Sequence, residues 1–365
     1  MGLTVDHIEL RNFRNYKDFE SGQFENLNIF VGPNGVGKTN LLEALQLMTS
    51  LDSFRNPKWN ELVLWGEEGA SATARLVEEH RDIELRLEIA NNRRRYFQNG
   101  KGKRPADLRG NVTTVLFNPD DLNLAKGPAS IRRDAIDQMG AQISSTYYGL
   151  RSDYLRAIKE KAALLQADFC DIAMIEPWNE SIAAYGLAFI KHRVNLFLAF
   201  RQNLLEVCLE IAPDLLIDIA YIPSWMEEAK IKEAGYDLDE FALALRGKLE
   251  RLLQAEIASK RCLCGPHLDD IEVEILGHDA RRFASQSQQR LISLIWKLAE
   301  MKTIAKICNN QPLLLLDDVM SELDTQRRNS LLSGIYGKTQ TFITTTDLEY
   351  FSEDVLREAK IFRIG

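Results

Sequence analysis

The amino-acid sequence predicts an α/β protein in which both ends of the chain form one sheet-bearing head and the middle is an α-helical insertion. Three observations predict this. A glycine-rich stretch, Gly32 to Thr39, lies between an apolar run (Leu27 to Val31) and a helical pattern (Leu41, Leu42, Ala44, Leu45, Met48). A second apolar run, Leu313 to Leu316, ends in the adjacent carboxylates Asp317 and Asp318. Between them, residues 131–262 carry helical spacing with mixed charges and no sustained heptads. The expected division is 1–130 and 263–365 for the two parts of the head and 131–262 for the helical lobe.

The glycine-rich stretch fits G-x-x-x-x-G-K-[ST] without a mismatch. Glycines allow the backbone to curl so that successive N–H groups point at phosphate oxygens, and the following helix adds its positive N-terminus. The candidate nucleotide site is therefore Gly32, Pro33, Asn34, Gly35, Val36, Gly37, Lys38, Thr39 and Asn40. Lys38 suits the β- and γ-phosphates of ATP, and the Thr39 hydroxyl suits Mg²⁺. Asp317, at the C-terminal end of a buried strand, fits the second Mg²⁺ position, and Asp318 fits orientation or deprotonation of an attacking water.

Taken in order, residues 4–10 alternate as a short strand, and Phe13-Arg14-Asn15-Tyr16 follows. That stretch reads equally as a plain turn or, with a cation and two rings, as a nucleotide contact. Residues 70–77 and 82–90 read as strands, and 94–98 pairs with the latter; Asn99-Gly100 is a turn signal. Residues 112–117 form a further apolar strand. Helical spacing covers 131–165, 182–211 and 239–257, broken near Pro177 and between Pro213 and Pro223. Tyr147, Tyr148, Tyr154, Phe189, Phe197 and Phe200 fall at core spacing. Strand character returns at 271–275, 312–316 and 340–344, and Lys360 to Ile364 is placed to close the sheet.

Composition bounds the rest. Hydrophobic content of 45% and charged content of 27% are those of an ordinary soluble domain. No apolar run approaches the ~20 residues that span a bilayer, and five scattered cysteines suit a reducing compartment. The expectation is a cytoplasmic protein with no membrane partner. Net charge is −8, yet Arg93, Arg94, Arg95, Lys101, Lys103, Arg104 and Arg109 cluster with Asp107 as the only acid among them. The first six are candidate DNA contacts, although such a run also suits a solvated hairpin edge.

Spacing discriminates among phosphate-loop proteins. Lys38 and Asp317 lie 279 positions apart, too far for a compact kinase or GTPase. Ser285-Gln286-Ser287-Gln288 opens a helix shortly before the acidic strand. That order is the one used by ABC-type ATPases, in which the Ser and helix N-terminus meet ATP held by another subunit.

With these residues assembled, nearly the whole chain resembles the RecF family, bacterial recombination mediators of the SMC-like branch of ABC ATPases. The resemblance is carried by residues 12–16, 32–42, 116–122, 265–270, 283–290, 316–324 and 342–348. It implies ATP and Mg²⁺ binding, an ATP-dependent homodimer, and slow, DNA-stimulated hydrolysis. The implied DNA is double-stranded or a single-strand/double-strand junction. It also implies a role with RecO and RecR in loading RecA at gaps. By resemblance Phe13, Arg14 and Asn15 face the nucleotide and Ser285 to Gln288 form the signature. Ser321 and Asp324 belong to a loop at the dimer interface, and Thr345 to Asp347 hold a switch position. Two departures stand out: Leu268 where the family has Arg, and Ser287 where it has Gly. A β-carbon at Ser287 is expected to weaken nucleotide-driven dimerisation. The alternative readings are a transporter ATPase subunit and a nuclease-associated SMC-like ATPase. The transporter lacks its expected His after the last core strand. For the nuclease, Cys262 and Cys264 fit core thiols better than a zinc site, and His267 a structural or interface position better than a metal ligand.

Overall fold

A computed structural model describes residues 3–78, 81–167, 171–335 and 337–365, which form two compact units, 1–121 with 300–365 and 122–299. In chain order the strands are β1 (Thr4–Phe13), β2 (Tyr16–Gly22), β3 (Leu27–Val31), β4 (Gly69–Glu78), β5 (Arg81–Ala90), β6 (Arg93–Gln98), β7 (Lys101–Lys103) and β8 (Thr114–Phe117). They continue as β9 (Ile217–Ile222), β10 (Asp270–Ile275), β11 (His278–Asp279), β12 (Leu313–Asp317), β13 (Thr341–Thr345) and β14 (Lys360–Arg363).

The first unit holds two sheets. One is antiparallel, in the order β2-β1-β4-β5-β6-β7, and its strands alternate buried and exposed residues as a half-buried sheet requires. Its hairpins turn on paired left-handed residues, Asn91 and Asn92 between β5 and β6 and Asn99 and Gly100 between β6 and β7. The other sheet is parallel, in the order β14-β3-β13-β12-β8, and β3, β8, β12 and β13 are buried at every position. Helix α1 (Lys38–Thr49) packs against strands of both sheets, and the Tyr96 hydroxyl donates to the Leu47 carbonyl at 3.3 Å. Rings of Phe24, Phe30, Phe342 and Phe362 pack together at centroid separations of 5.0–6.3 Å.

The second unit is built on the helices Ala129–Ile143, Ser145–Gln166, Ile172–Ile211 and Leu238–Ser259. It also contains a three-stranded antiparallel sheet, β11-β10-β9. The lobe is therefore larger and less purely helical than the expected 131–262. Residues 263–299 join it because β10 hydrogen-bonds to β9 along its length. Tyr147, Tyr154, Phe189, Phe197 and Phe200 are buried there, with Tyr148 half-buried.

Two helix boundaries differ from the sequence pattern. The expected helix 131–165 is divided at Ser144, whose hydroxyl caps the second segment by accepting from the Tyr147 N–H. The expected break near Pro177 is absent: Pro177 lies inside Ile172–Ile211. One missing hydrogen bond near the start is outweighed by the packing of the long helix that follows. Among the described residues, no helix is long and apolar enough to cross a membrane.

Candidate nucleotide site

The parallel sheet explains how residues so distant in sequence meet. β13 lies between β3, which feeds the glycine-rich loop, and β12, which ends in Asp317. All three strands point the same way, so both loops emerge at one edge, where open parallel sheets place ligands. Pairing sets Asp317 opposite Thr344 and Val31 opposite Thr345.

Gly35 and Gly37 carry positive φ, 80° and 113°, which a residue with a β-carbon rarely adopts. Gly37 is also crowded: a β-carbon there would stand 2.5 Å from the Asn15 side-chain nitrogen. Pro33, Asn34 and Gly35 are exposed, whereas Gly37 and Lys38 are buried. The Lys38 ammonium donates to the carbonyls of Gly32 (2.6 Å) and Pro33 (2.8 Å). Burial pushes its pKa down, and the charges of Asp318 and Asp317 pull it back up.

The Thr39 hydroxyl donates to Asp317 Oδ1 at 2.8 Å, and the Thr344 hydroxyl donates to the same oxygen at 2.7 Å. This cluster offers only hard oxygen donors, the chemistry Mg²⁺ prefers. Asp318 sits in the left-handed region at φ 53° and is half-buried. Its Oδ1 is buried without a hydrogen-bond partner among the described residues. Burial, and then the charge of Asp317, raise its pKa, with Lys38 opposing. An underbonded carboxylate of raised proton affinity beside an ammonium suits a general base.

The residues before the loop behave differently from one another. Phe13 corrects the sequence expectation: its ring is fully buried in the core and presents no face to a nucleotide. Arg14, at φ 54°, places Nε and Nη2 on the Glu43 carboxylate at 2.9 and 2.8 Å and Nη1 on the Glu61 carbonyl at 2.9 Å. It is oriented towards α1 instead of outwards. Asn15 alone reaches the loop, donating to the Val36 carbonyl at 2.8 Å and accepting from Asn40 at 2.8 Å. Glu43, Ser53, Arg55 and Thr344 escaped sequence reasoning. Glu43 looked like one more acid on an amphipathic helix, and only its complete burial marks it.

The Ser-x-x-Gln segment lies in the second unit and forms a reciprocal cap on the helix Gln286–Cys308. The Ser285 N–H donates to Gln288 Oε1 at 2.8 Å, and the Gln288 N–H donates to Ser285 Oγ at 3.3 Å. Gln286 and Ser287 are exposed in the first turn, and Ser287 has no positive φ that would demand glycine. Ser321 donates to the Asp318 carbonyl at 2.8 Å, and Asp324 accepts from the Arg327 N–H at 3.0 Å. The Thr345 hydroxyl donates to the Asp347 carbonyl at 2.9 Å.

Of the basic cluster, Arg93, Arg95, Lys101 and Lys103 are exposed on the β6–β7 edge. Arg94 instead stacks on Trp59 at 4.2 Å from the ring centroid, and Arg104 pairs with Asp107 at 2.9 Å.

A phosphate-binding loop and an acidic strand sharing one edge of a parallel sheet, with a lobe inserted between them, define a P-loop ATPase head of the ABC type. The family described as "RecF/RecN/SMC N terminal domain" matches residues 4–363, and the chain belongs to it. Within it, the chain is a member of the RecF family. It is 34% identical over 371 residues to the DNA replication and repair protein RecF of Lactobacillus johnsonii, covering 100% of this chain and 98% of that one. Identity to the Lactobacillus gasseri protein of the same description is 35% over 369 residues, again 100% and 98%. A structure of the recombination mediator protein RecF with ATP is similar with a TM-score of 0.87 and 28% identity, covering 96% of this chain and 94% of that one. The Smc head domain of Pyrococcus furiosus, at 16% identity and a TM-score of 0.53 over 99% and 93% of the two chains, shares the fold.

Proposed function

We propose that this protein is a cytoplasmic, Mg²⁺-dependent ATPase of recombinational repair and replication restart, dimerising around ATP on DNA. The observation that carries the reading is the convergence of Lys38, Thr39, Asp317 and Asp318 at one sheet edge. Relatives described as DNA replication and repair proteins, and a RecF structure with ATP, support it.

In this reading the N–H groups from Gly32 to Thr39 hold the phosphates, and Lys38 exchanges its carbonyl partners for phosphate oxygens. Thr39 and Asp317 would hold Mg²⁺, which would supply charge neutralisation to the phosphates. Asp318 takes a proton from water as the water oxygen bonds to the γ-phosphorus and the bond to the β-phosphate oxygen breaks, yielding ADP and phosphate. Ser285 to Gln288 of a second copy, with Ser321 and Asp324 beside the interface, complete the site. Arg93, Arg95, Lys101 and Lys103 contact the backbone of double-stranded DNA or of a junction with single strands. RecR, acting with RecO, is the partner through which RecA loading is aided.

The test is ATPase rate against protein concentration, with and without gapped duplex DNA, using Lys38→Met as the blank. A rate per protomer that rises with concentration and again with DNA is expected. A flat rate indifferent to DNA rejects the DNA-bound ATP dimer.

A further inference from the structure

A chain of side-chain hydrogen bonds runs from a buried carboxylate to the crown of the glycine-rich loop. Glu43 is completely buried in α1, and its carboxylate is saturated. Oε1 accepts from Arg14 Nη2 at 2.8 Å and Ser53 Oγ at 2.6 Å; Oε2 accepts from Arg14 Nε at 2.9 Å and Arg55 Nη1 at 3.3 Å. Arg55 Nη1 also donates to Asn40 Oδ1 at 2.7 Å. Asn40 Nδ2 donates to Asn15 Oδ1 at 2.8 Å, and Asn15 Nδ2 donates to the Val36 carbonyl at 2.8 Å.

The direction of every link follows from its first member. A guanidinium can only donate. Arg55 therefore requires Asn40 to present its oxygen, leaving the Asn40 amide to face Asn15. Asn15 must then present its own oxygen to Asn40 and its amide to Val36. A peptide is planar and trans, so its C=O and the next N–H point in opposite directions. Holding the Val36 carbonyl out towards Asn15 turns the Gly37 N–H the other way. At Gly37, whose φ of 113° side chains rarely adopt, a β-carbon would stand 2.5 Å from the Asn15 amide nitrogen and displace it from this relay.

We infer that Arg55, anchored by Glu43, is a positioning residue for the phosphate-binding loop. It acts through Asn40 and Asn15 to fix the orientation of the Val36–Gly37 peptide. The inference rests on the nucleotide-site reading for its consequence, while the brace itself rests on the hydrogen bonds from Arg55 through Asn40 and Asn15 to the Val36 carbonyl.

Two measurements on the full chain decide it. In a double-mutant cycle, ATP affinity is measured for the unsubstituted protein, Arg55→Met, Asn15→Ala and the pair, with thermal melts confirming that all are folded. Each single change is expected to weaken binding about tenfold, and the pair about tenfold again in total instead of a hundredfold, because both cut one relay. A pair that multiplies the single losses means that Arg55 acts on the nucleotide independently, and the relay is rejected. The second measurement is amide hydrogen exchange of a peptide spanning 32–39 without nucleotide, expected to speed up in Arg55→Met and in Asn15→Ala alike. Unchanged exchange in Arg55→Met overturns the brace even if ATP binds. Failure of the unsubstituted protein to bind ATP would reject the nucleotide-site reading, while the exchange measurement still decides the brace.

Discussion

At the scale of single residues, neighbouring carboxylates stand in different surroundings. Asp317 receives two hydroxyls on one oxygen, whereas Asp318, one position on, holds a buried oxygen without a hydrogen-bond partner among the described residues. A backbone in the left-handed region at Asp318 places successive side chains in these different environments. Asp318→Asn keeps the shape and removes the proposed base, so hydrolysis should fall by about 10²–10⁴-fold while ATP affinity changes little. A variant that loses affinity and rate together would make Asp318 a binding residue. Ser287 carries a separate expectation. Its helical φ/ψ accepts serine, so any handicap must lie across a dimer interface, and Ser287→Gly should tighten the ATP-bound dimer. Sedimentation in ATP showing no tighter dimer would reject that.

At the scale of elements, the loop Gly265 to Asp270 is the knot of the second unit. The Pro266 carbonyl accepts from Arg193 at 2.6 Å, and Arg193 is paired through two bonds, 2.9 and 2.7 Å, with Asp137. The Tyr221 hydroxyl donates to Asp269, and His267 Nδ1 lies 2.6 Å from the Tyr154 hydroxyl. Burial lowers the His267 pKa to about 4 and raises that of Asp269 to about 6. The signs oppose. As pH falls below the ordinary histidine value of about 6.5, the unfolded chain takes up a proton that the folded loop resists, and stability is lost until about pH 4. Asp269 acts the other way, favouring the fold as pH falls through about 6. The difference between the unsubstituted protein and His267→Gln isolates the first effect. By about pH 5.5 the unsubstituted protein should lose roughly 1–1.5 kcal/mol more than the variant, relative to about pH 7.5. Parallel melting curves across that range would show that His267 is not held neutral.

At the scale of the whole molecule, net charge is a poor guide to partners. The chain carries −8, yet four exposed cations share the β6–β7 edge of the antiparallel sheet. Each phosphate contact steepens the salt dependence of duplex binding by about 0.9 in logarithmic slope. Replacing Arg93, Arg95, Lys101 and Lys103 by alanine should flatten that slope by about 3–4, measured by anisotropy of labelled duplex DNA. Arg94→Ala should change stability more than slope, because its guanidinium is stacked on Trp59. An unchanged slope in the fourfold variant would place the DNA elsewhere.

Much of the site was legible in sequence because local chemistry dictates it. A loop that must turn with positive φ requires Gly35 and Gly37, and a strand buried on both faces reads as the unbroken run before Asp317. Helical and alternating periodicities placed most elements for the same reason. What the sequence alone determined was thus the identity of the phosphate loop, the acidic strand and the existence of an inserted lobe. What only the tertiary structure decided was who stands beside whom. Phe13 went to the core, Arg14 to Glu43, residues 263–299 to β9, and Arg55 to Asn40. Periodicity records which face of an element is apolar, but a polar side chain's partner depends on strand order and approach distance, which arise only when the chain closes on itself.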